Sequence, residues 1–192
     1  MKQFKDDKVR WGVIGVGKVC EIKSVPGLYK TSNSEVVAVM RRNADLAKDF
    51  ALRHGIKKWY SDVDMLINDP DVNAIYIATP PGSHAEICKK AALAGKPVYV
   101  EKPMARNYAE ALEMIEVCKE AKVPLFVAYY RRALPFFLKI KELVETGKIG
   151  EVRFVNIRMY KRLNQAINSP DNNNWRVIPE IAGGGHFYDL AS

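Results

Sequence analysis

Lys102 sits in the segment PVYVEKPMA, residues 97–105, where an apolar run stops on a carboxylate, an ammonium and a proline, Glu101, Lys102 and Pro103. An ammonium placed there can stabilise negative charge developing on an oxygen and pass a proton onward. A second stretch offers different chemistry. Directly after the apolar run VRWGVI comes GVGKVC, so Gly15 and Gly17 fill the first two places of G-x-G-x-x-G and Cys20 the third. The first glycine permits a tight turn, the second lets the backbone approach a pyrophosphate, and the helix start that follows offers amide donors. Gly15, Val16, Gly17, Lys18 and Val19 are therefore the candidate phosphate-binding residues. Alone the motif is weak, since a glycine-rich turn without a ligand reads the same way.

The elements around these stretches give them a position. Near-continuous apolar runs at 9–14, 35–40, 73–78, 97–100 and 125–130, with a weaker one at 57–60, have the pattern of parallel strands covered on both faces. Helix signals alternate with them. Asn43 caps a segment stopped by Gly55; Ser83 with Glu86, and Asn107 with Glu110, have capping-box spacing; Pro135 opens a helix that Gly147 closes. Strands joined by helical crossovers predict an α/β fold, a doubly wound parallel sheet of Rossmann type. Ligands of such sheets bind beyond the carboxyl ends of the strands, where the Glu-Lys-Pro triplet and the glycine loop both fall. This domain is expected over residues 1–128. Residues 129–192 read as the incomplete start of an α/β C-terminal domain: one long strand of alternating faces within 147–162, then a loop-like stretch running into HFYDLAS.

Composition narrows the class. An apolar fraction of 48% and a charged fraction of 27% are those of an ordinary globular protein. The net charge of +8 comes from Lys and Arg interspersed with Asp and Glu, which predicts a solvated surface rather than a nucleic-acid partner. Cys20, Cys88 and Cys118 lack metal-ligand spacing and predict buried, reduced thiols and no metal site. Neither a signal peptide nor a membrane span is readable, and a cytoplasmic location is the expectation.

The end of the second strand chooses the cofactor. Sites specific for NAD place an acid there, whereas this chain reads VMRRN, with Arg41 and Arg42 in its place. A guanidinium can bind a phosphate bidentately and stack on adenine. NADP(H) is the expected preference, with NAD as the alternative, against the plainer reading of two solvated arginines in a loop.

Four stretches coincide: WGVIGVGKVCE, YIATPPGSHAEICKKAALAGKPVYVEKPMA, YYRRALPFFLKIKELVETGKIGEV and GGGHFYDLAS. Together they resemble the glucose-fructose oxidoreductase, inositol dehydrogenase and MocA family over nearly the whole chain. The resemblance implies a dehydrogenase or reductase that oxidises a secondary alcohol of a sugar or polyol, or runs the reverse. It implies that Lys102 contacts the reacting oxygen, that Glu101 holds Lys102 or touches the cofactor ribose, and that Pro103 fixes the turn. Thr79, Pro80 and Pro81 would line the cofactor, although relatives often carry Asn where Pro81 stands. His84 matches the helix-start histidine, with a structural or cofactor-shelf role set against proton transfer, and Arg131 is a candidate cofactor or substrate contact.

The resemblance implies a D-x-x-x-H motif whose histidine is the general base and whose aspartate orients it or binds substrate; Asp189 matches the aspartate as a catalytic candidate, and the histidine, due one position after Ser192, is not in the sequence. His54, at the end of a cofactor-side helix, and His186, on the wrong side of Asp189, do not replace it. The expectation is a fragment of a longer, homo-oligomeric dehydrogenase that continues for roughly a hundred residues or more, with weak or no turnover by the 192 residues alone. The alternative is a non-enzymatic dinucleotide-binding sensor or regulator of the same family.

Overall fold

In the computed structural model the described residues are 7–158, 160 and 175–191. They fall into two units, one formed by residues 1–128 together with 175–192 and the other by residues 129–174.

The first unit is built on a six-stranded parallel sheet. Its strands are β1 (Val9–Ile14), β2 (Ser34–Met40), β3 (Lys58–Tyr60), β4 (Ala74–Ile77), β5 (Val98–Val100) and β6 (Leu125–Val127), in the order β3-β2-β1-β4-β5-β6. This is the doubly wound Rossmann order, and its direction reverses between β1 and β4. Alternation along each strand divides the core into two layers. Ile14, Met40, Ile75, Ile77, Val98 and Val100 pack on one face beneath α3 (Val63–Ile67), α4 (His84–Leu93) and α5 (Tyr108–Glu120). Val13, Val39 and Tyr76 face the other way, against Cys20, Val25 of α1 (Val25–Lys30), and Phe50 and Ala51 of α2 (Ala44–Arg53). Each large apolar side chain buried this way contributes about 1.5–3 kcal/mol. Close approach of α3 to β1 requires Gly12, where a Cβ would stand 2.6 Å from the Leu66 side chain.

Helix boundaries follow the capping chemistry with one correction. The Asn43 side chain accepts from the Leu46 amide at 2.9 Å, and Asn107 from the Glu110 amide at 3.0 Å. Gly55 and Gly95 terminate α2 and α4 with φ of 67° and 70°. The Ser83–Glu86 capping box does not form. Pro81–Ser83 make a 3-10 turn that runs straight into α4, so the Ser83 hydroxyl turns back to Thr79 Oγ1 at 2.8 Å and the Pro80 carbonyl at 3.1 Å.

The second unit carries a 3-10 turn at Tyr130–Ala133 and α6 (Pro135–Glu145), with Pro135 in its first turn. The long strand expected within 147–162 is not formed over its described part. Residues 152–158 belong to no ladder, because a strand needs a neighbour to take its amides and carbonyls and none pairs with it among the described residues. Residues 159 and 161–162, and the loop expected from 163 up to 174, lie outside the described residues. The expected loop-like stretch extends to 185, but after 174 the chain instead forms a 3-10 turn (Trp175–Val177) and α7 (Pro179–Ala182), followed by α8 (Gly185–Ala191), all within the first unit.

Candidate active site

The glycine loop is shaped by two contacts. Gly15 has φ of 94°, and a Cβ on it would stand 2.7 Å from the Thr79 amide nitrogen, so both backbone conformation and space demand glycine. Its amide donates to the Met40 carbonyl at 2.9 Å, which anchors the loop to the end of β2. Helical turns then run from Lys18 to Lys30, with a π-helical stretch at Cys20–Ser24. At Gly17 a Cβ would meet only the Gly15 carbonyl oxygen, at 3.9 Å, so the backbone there lies open. First-turn amides have no intrahelical partner, and an open backbone in front of them fits a pyrophosphate.

The side chains around this cradle divide by role. Val16 is buried in the α1–α2 layer, while Lys18 and Val19 are exposed. Cys20, in the third motif place, is fully buried, and burial pushes its thiol up to about 12, so it packs as a small inert group. Arg41 and Arg42 follow β2 and are exposed; the Arg41 guanidinium donates to the Val16 carbonyl at 3.5 Å, which brings it to the loop. His54 lies elsewhere, stacked on Phe50 at 4.3 Å with Nε2 3.0 Å from a Glu21 carboxylate oxygen.

Lys102 is positioned from both sides. Glu101 leaves β5 with its amide donating to the Ile77 carbonyl at 2.9 Å. The Tyr76 phenol donates to Glu101 Oε1 at 2.5 Å and lies 2.8 Å from Ser24 Oγ, while Glu101 Oε2 accepts from the Lys102 amide at 3.1 Å. Burial first, and then the Glu101 charge, raise the Tyr76 pKa, so the phenol stays a donor. The Lys102–Pro103 peptide is cis. Lys102 Nζ donates to Asp189 Oδ1 at 3.0 Å and also to the Asp189 carbonyl.

Asp189 is itself held by Arg176, whose Nε donates to Oδ2 at 3.0 Å. Burial opposes its ionisation, but hydrogen bonds from Lys102 and Arg176 outweigh burial and hold its pKa below the usual aspartate value. Arg176 was not singled out from the sequence, where the only signal was a cation beside Trp175 in an otherwise mostly neutral loop. Its guanidinium also lies over the Trp175 ring, 4.4 Å from the centroid.

Two glycines dock the segment that carries Asp189. A Cβ at Gly82 would stand 3.2 Å from the Glu180 and Ile181 carbonyl oxygens, and one at Gly183 would collide with the Arg106 carbonyl. Arg106 in turn donates to the Glu180 carbonyl at 2.9 Å and pairs with Glu110.

The structure thus gathers Gly15–Val19, Arg41, Arg42, Thr79–Pro81, Glu101, Lys102 and Asp189 at or beside the carboxyl edge of the sheet. Thr79 and Pro80 are half-buried and Pro81 is buried. His84 is fully buried at the start of α4. Arg131 lies in the 3-10 turn of the second unit. Among the described residues no group of His, Cys, Asp and Glu could hold a metal ion, and no helix is long and apolar enough to cross a membrane.

A doubly wound sheet with an open glycine loop at its switch point and a lysine–aspartate pair on the same edge is a Rossmann-type dinucleotide-binding arrangement. Residues 9–129 match the GFO_IDH_MocA oxidoreductase family with NAD-binding Rossmann fold, and residues 137–192 match the GFO/IDH/MocA C-terminal domain. The chain belongs to this family. It is 47% identical over 186 residues to oxidoreductase P35 of Formosa agariphila, an alignment covering 97% of this chain and 58% of that protein. Among solved structures it resembles KijD10, a 3-ketoreductase from Actinomadura kijaniata in complex with NADP and TDP-benzene, with TM-score 0.72 and 30% identity over 76% of this chain and 45% of that one. It also resembles an aldose-aldose oxidoreductase from Caulobacter crescentus complexed with glycerol, with TM-score 0.79 and 27% identity over 95% of this chain and 54% of that one. The chain spans little more than half the length of the relatives it matches.

Proposed function

We propose that this chain forms the cofactor-binding half of an oxidoreductase that moves hydride between NADP(H) and a secondary alcohol or carbonyl of a sugar or polyol. A bound nicotinamide dinucleotide supplies the hydride chemistry. Main-chain amides of Gly15, Val16, Gly17, Lys18 and Val19 would hold the pyrophosphate, and Arg41 with Arg42 the 2′-phosphate. Thr79, Pro80, Pro81 and Glu101 would line the remainder. Lys102 is the catalytic residue: its ammonium hydrogen-bonds the substrate oxygen and stabilises the negative charge that grows there. Asp189, kept anionic by its two cationic partners, aims that ammonium. Residues 129–192 form the opening of the C-terminal domain, a reading supported by the family match over 137–192.

The observation that carries this reading is the Lys102–Asp189 pair, 3.0 Å apart, on the same strand edge as a glycine loop open at its backbone. The NADP-bound state of KijD10 supports the cofactor class. Titration of the purified protein with NADPH and NADH, followed by nicotinamide fluorescence, tests it. NADPH should bind tighter by about tenfold or more, the effect of charge-assisted hydrogen bonds to one phosphate. Replacing both Arg41 and Arg42 with Ala should erase that ratio, while Lys102→Ala should leave it intact. Equal affinities in the wild type would remove the phosphate assignment, and no binding of either nucleotide would remove the function.

A further inference from the structure

His84 is fully buried, and its ring contacts three backbone carbonyls. Ring Nδ1 lies 3.1 Å from the Pro103 carbonyl oxygen and 3.2 Å from that of Met104; Nε2 lies 2.8 Å from the Thr79 carbonyl oxygen. All three partners are acceptors. One ring therefore stands between the turn after β4, against which Gly15 packs, and the turn after β5, which presents Lys102. Burial pulls the ring's pKa below the usual histidine value, against the push of the three carbonyls and of Glu101; the other acid facing it is Glu110 of α5. A neutral ring has one proton to donate, and only the imidazolium bonds both sides at once.

We propose that His84 is the positioning residue for Lys102: the Nδ1 side of its ring, against the Pro103 and Met104 carbonyls, holds the turn that aims the amine. The side chain touches neither solvent nor any reacting group, so it acts through Lys102 rather than on substrate. This rests on the functional reading above only in giving Lys102 a catalytic task; the tie itself is a property of the protein without cofactor.

Asparagine and glutamine separate the two sides of the ring. The amide nitrogen of Asn at 84 can occupy the place of Nδ1, and that of Gln the place of Nε2. The experiment is competitive acetylation of the 192-residue chain with trace acetic anhydride, without nucleotide. Peptide mass spectrometry quantifies labelling of Lys102 against the exposed Lys89 and Lys119. Wild type and His84→Asn should label Lys102 at similar, slow relative rates. His84→Gln should label it about threefold to tenfold faster, the effect of losing one hydrogen bond from the held state. A histidine that merely fills space gives the same Lys102 rate in both variants, whether slow or fast, and either result overturns the proposal. NADPH titration of the same samples keeps the two readings apart: failure of the wild type to bind nucleotide removes the cofactor assignment and leaves the labelling comparison standing.

Discussion

Lys102 and Asp189 stand far apart in the sequence and meet at 3.0 Å, and the charge balance at this pair has a pH signature. The folded-state pKa of Asp189 is depressed, so folding favours the ionised carboxylate. Its contribution is fully present above the ordinary aspartate pKa of about 3.9 and is lost as pH falls through the lower folded value. Hydrogen exchange of residues 175–191, measured by mass spectrometry and normalised to the intrinsic rate at each pH, should therefore accelerate in acid. Asp189→Asn should accelerate it already at neutral pH, consistent with a local loss of about 1–3 kcal/mol for removing hydrogen bonds between charged groups. Protection unchanged by acid or by the substitution would mean that the pair does not hold the segment. At this scale the sequence motifs singled out Lys102 and Asp189, and the structure brings the two together. The sequence was silent for Arg176, because a partnership between Nε and a carboxylate thirteen positions away exists only after α8 has formed.

At the scale of elements, local chemistry was legible and pairing was not. The strands of the sheet lie close to their apolar runs, and Asn43 and Asn107 cap the helices they precede. α3 escaped notice because five residues are too short to show a period, although Asp62 caps it by accepting from the Met65 amide at 2.9 Å. The alternation at 151–158 describes faces that a strand would have, but an alternating pattern supplies no hydrogen-bonding neighbour. Docking of α7 and α8 was equally hidden, since it depends on what Gly183 does not carry. At φ of 74°, against the Arg106 backbone, Gly183 has room for no side chain. Gly183→Ala should release residues 175–191, seen as rapid proteolytic cleavage after Arg176 with the 1–128 portion left intact. Wild-type resistance in that variant would show that the segment is held from elsewhere.

For the whole molecule, sheet order has a thermodynamic consequence. The order β3-β2-β1-β4-β5-β6 puts the crossover reversal between β1 and β4, and the glycine loop, the Thr79 turn and the Lys102 turn all leave the sheet at this one edge. The doubly wound class and the shared carboxyl edge, though not the strand order itself, followed from the alternation of apolar runs and helix caps, because parallel strands with right-handed crossovers leave few arrangements open. A ligand seated across this edge would touch loops that follow β1, β2, β4 and β5, none of which keeps its geometry once the sheet unfolds. Nucleotide binding should then be linked to global stability, and saturation at one hundred times Kd stabilises the folded state by about 2.7 kcal/mol. Thermal unfolding of the first unit should shift upward with NADPH in a concentration-dependent way, and by less with NADH at equal concentration. Gly15→Ala is the control, because strain at φ of 94° and the clash with Thr79 close the loop. It should lower the starting midpoint and also abolish the NADPH-dependent rise. A rise that persists in Gly15→Ala would place the nucleotide away from the glycine loop, and with it the reacting edge away from Lys102.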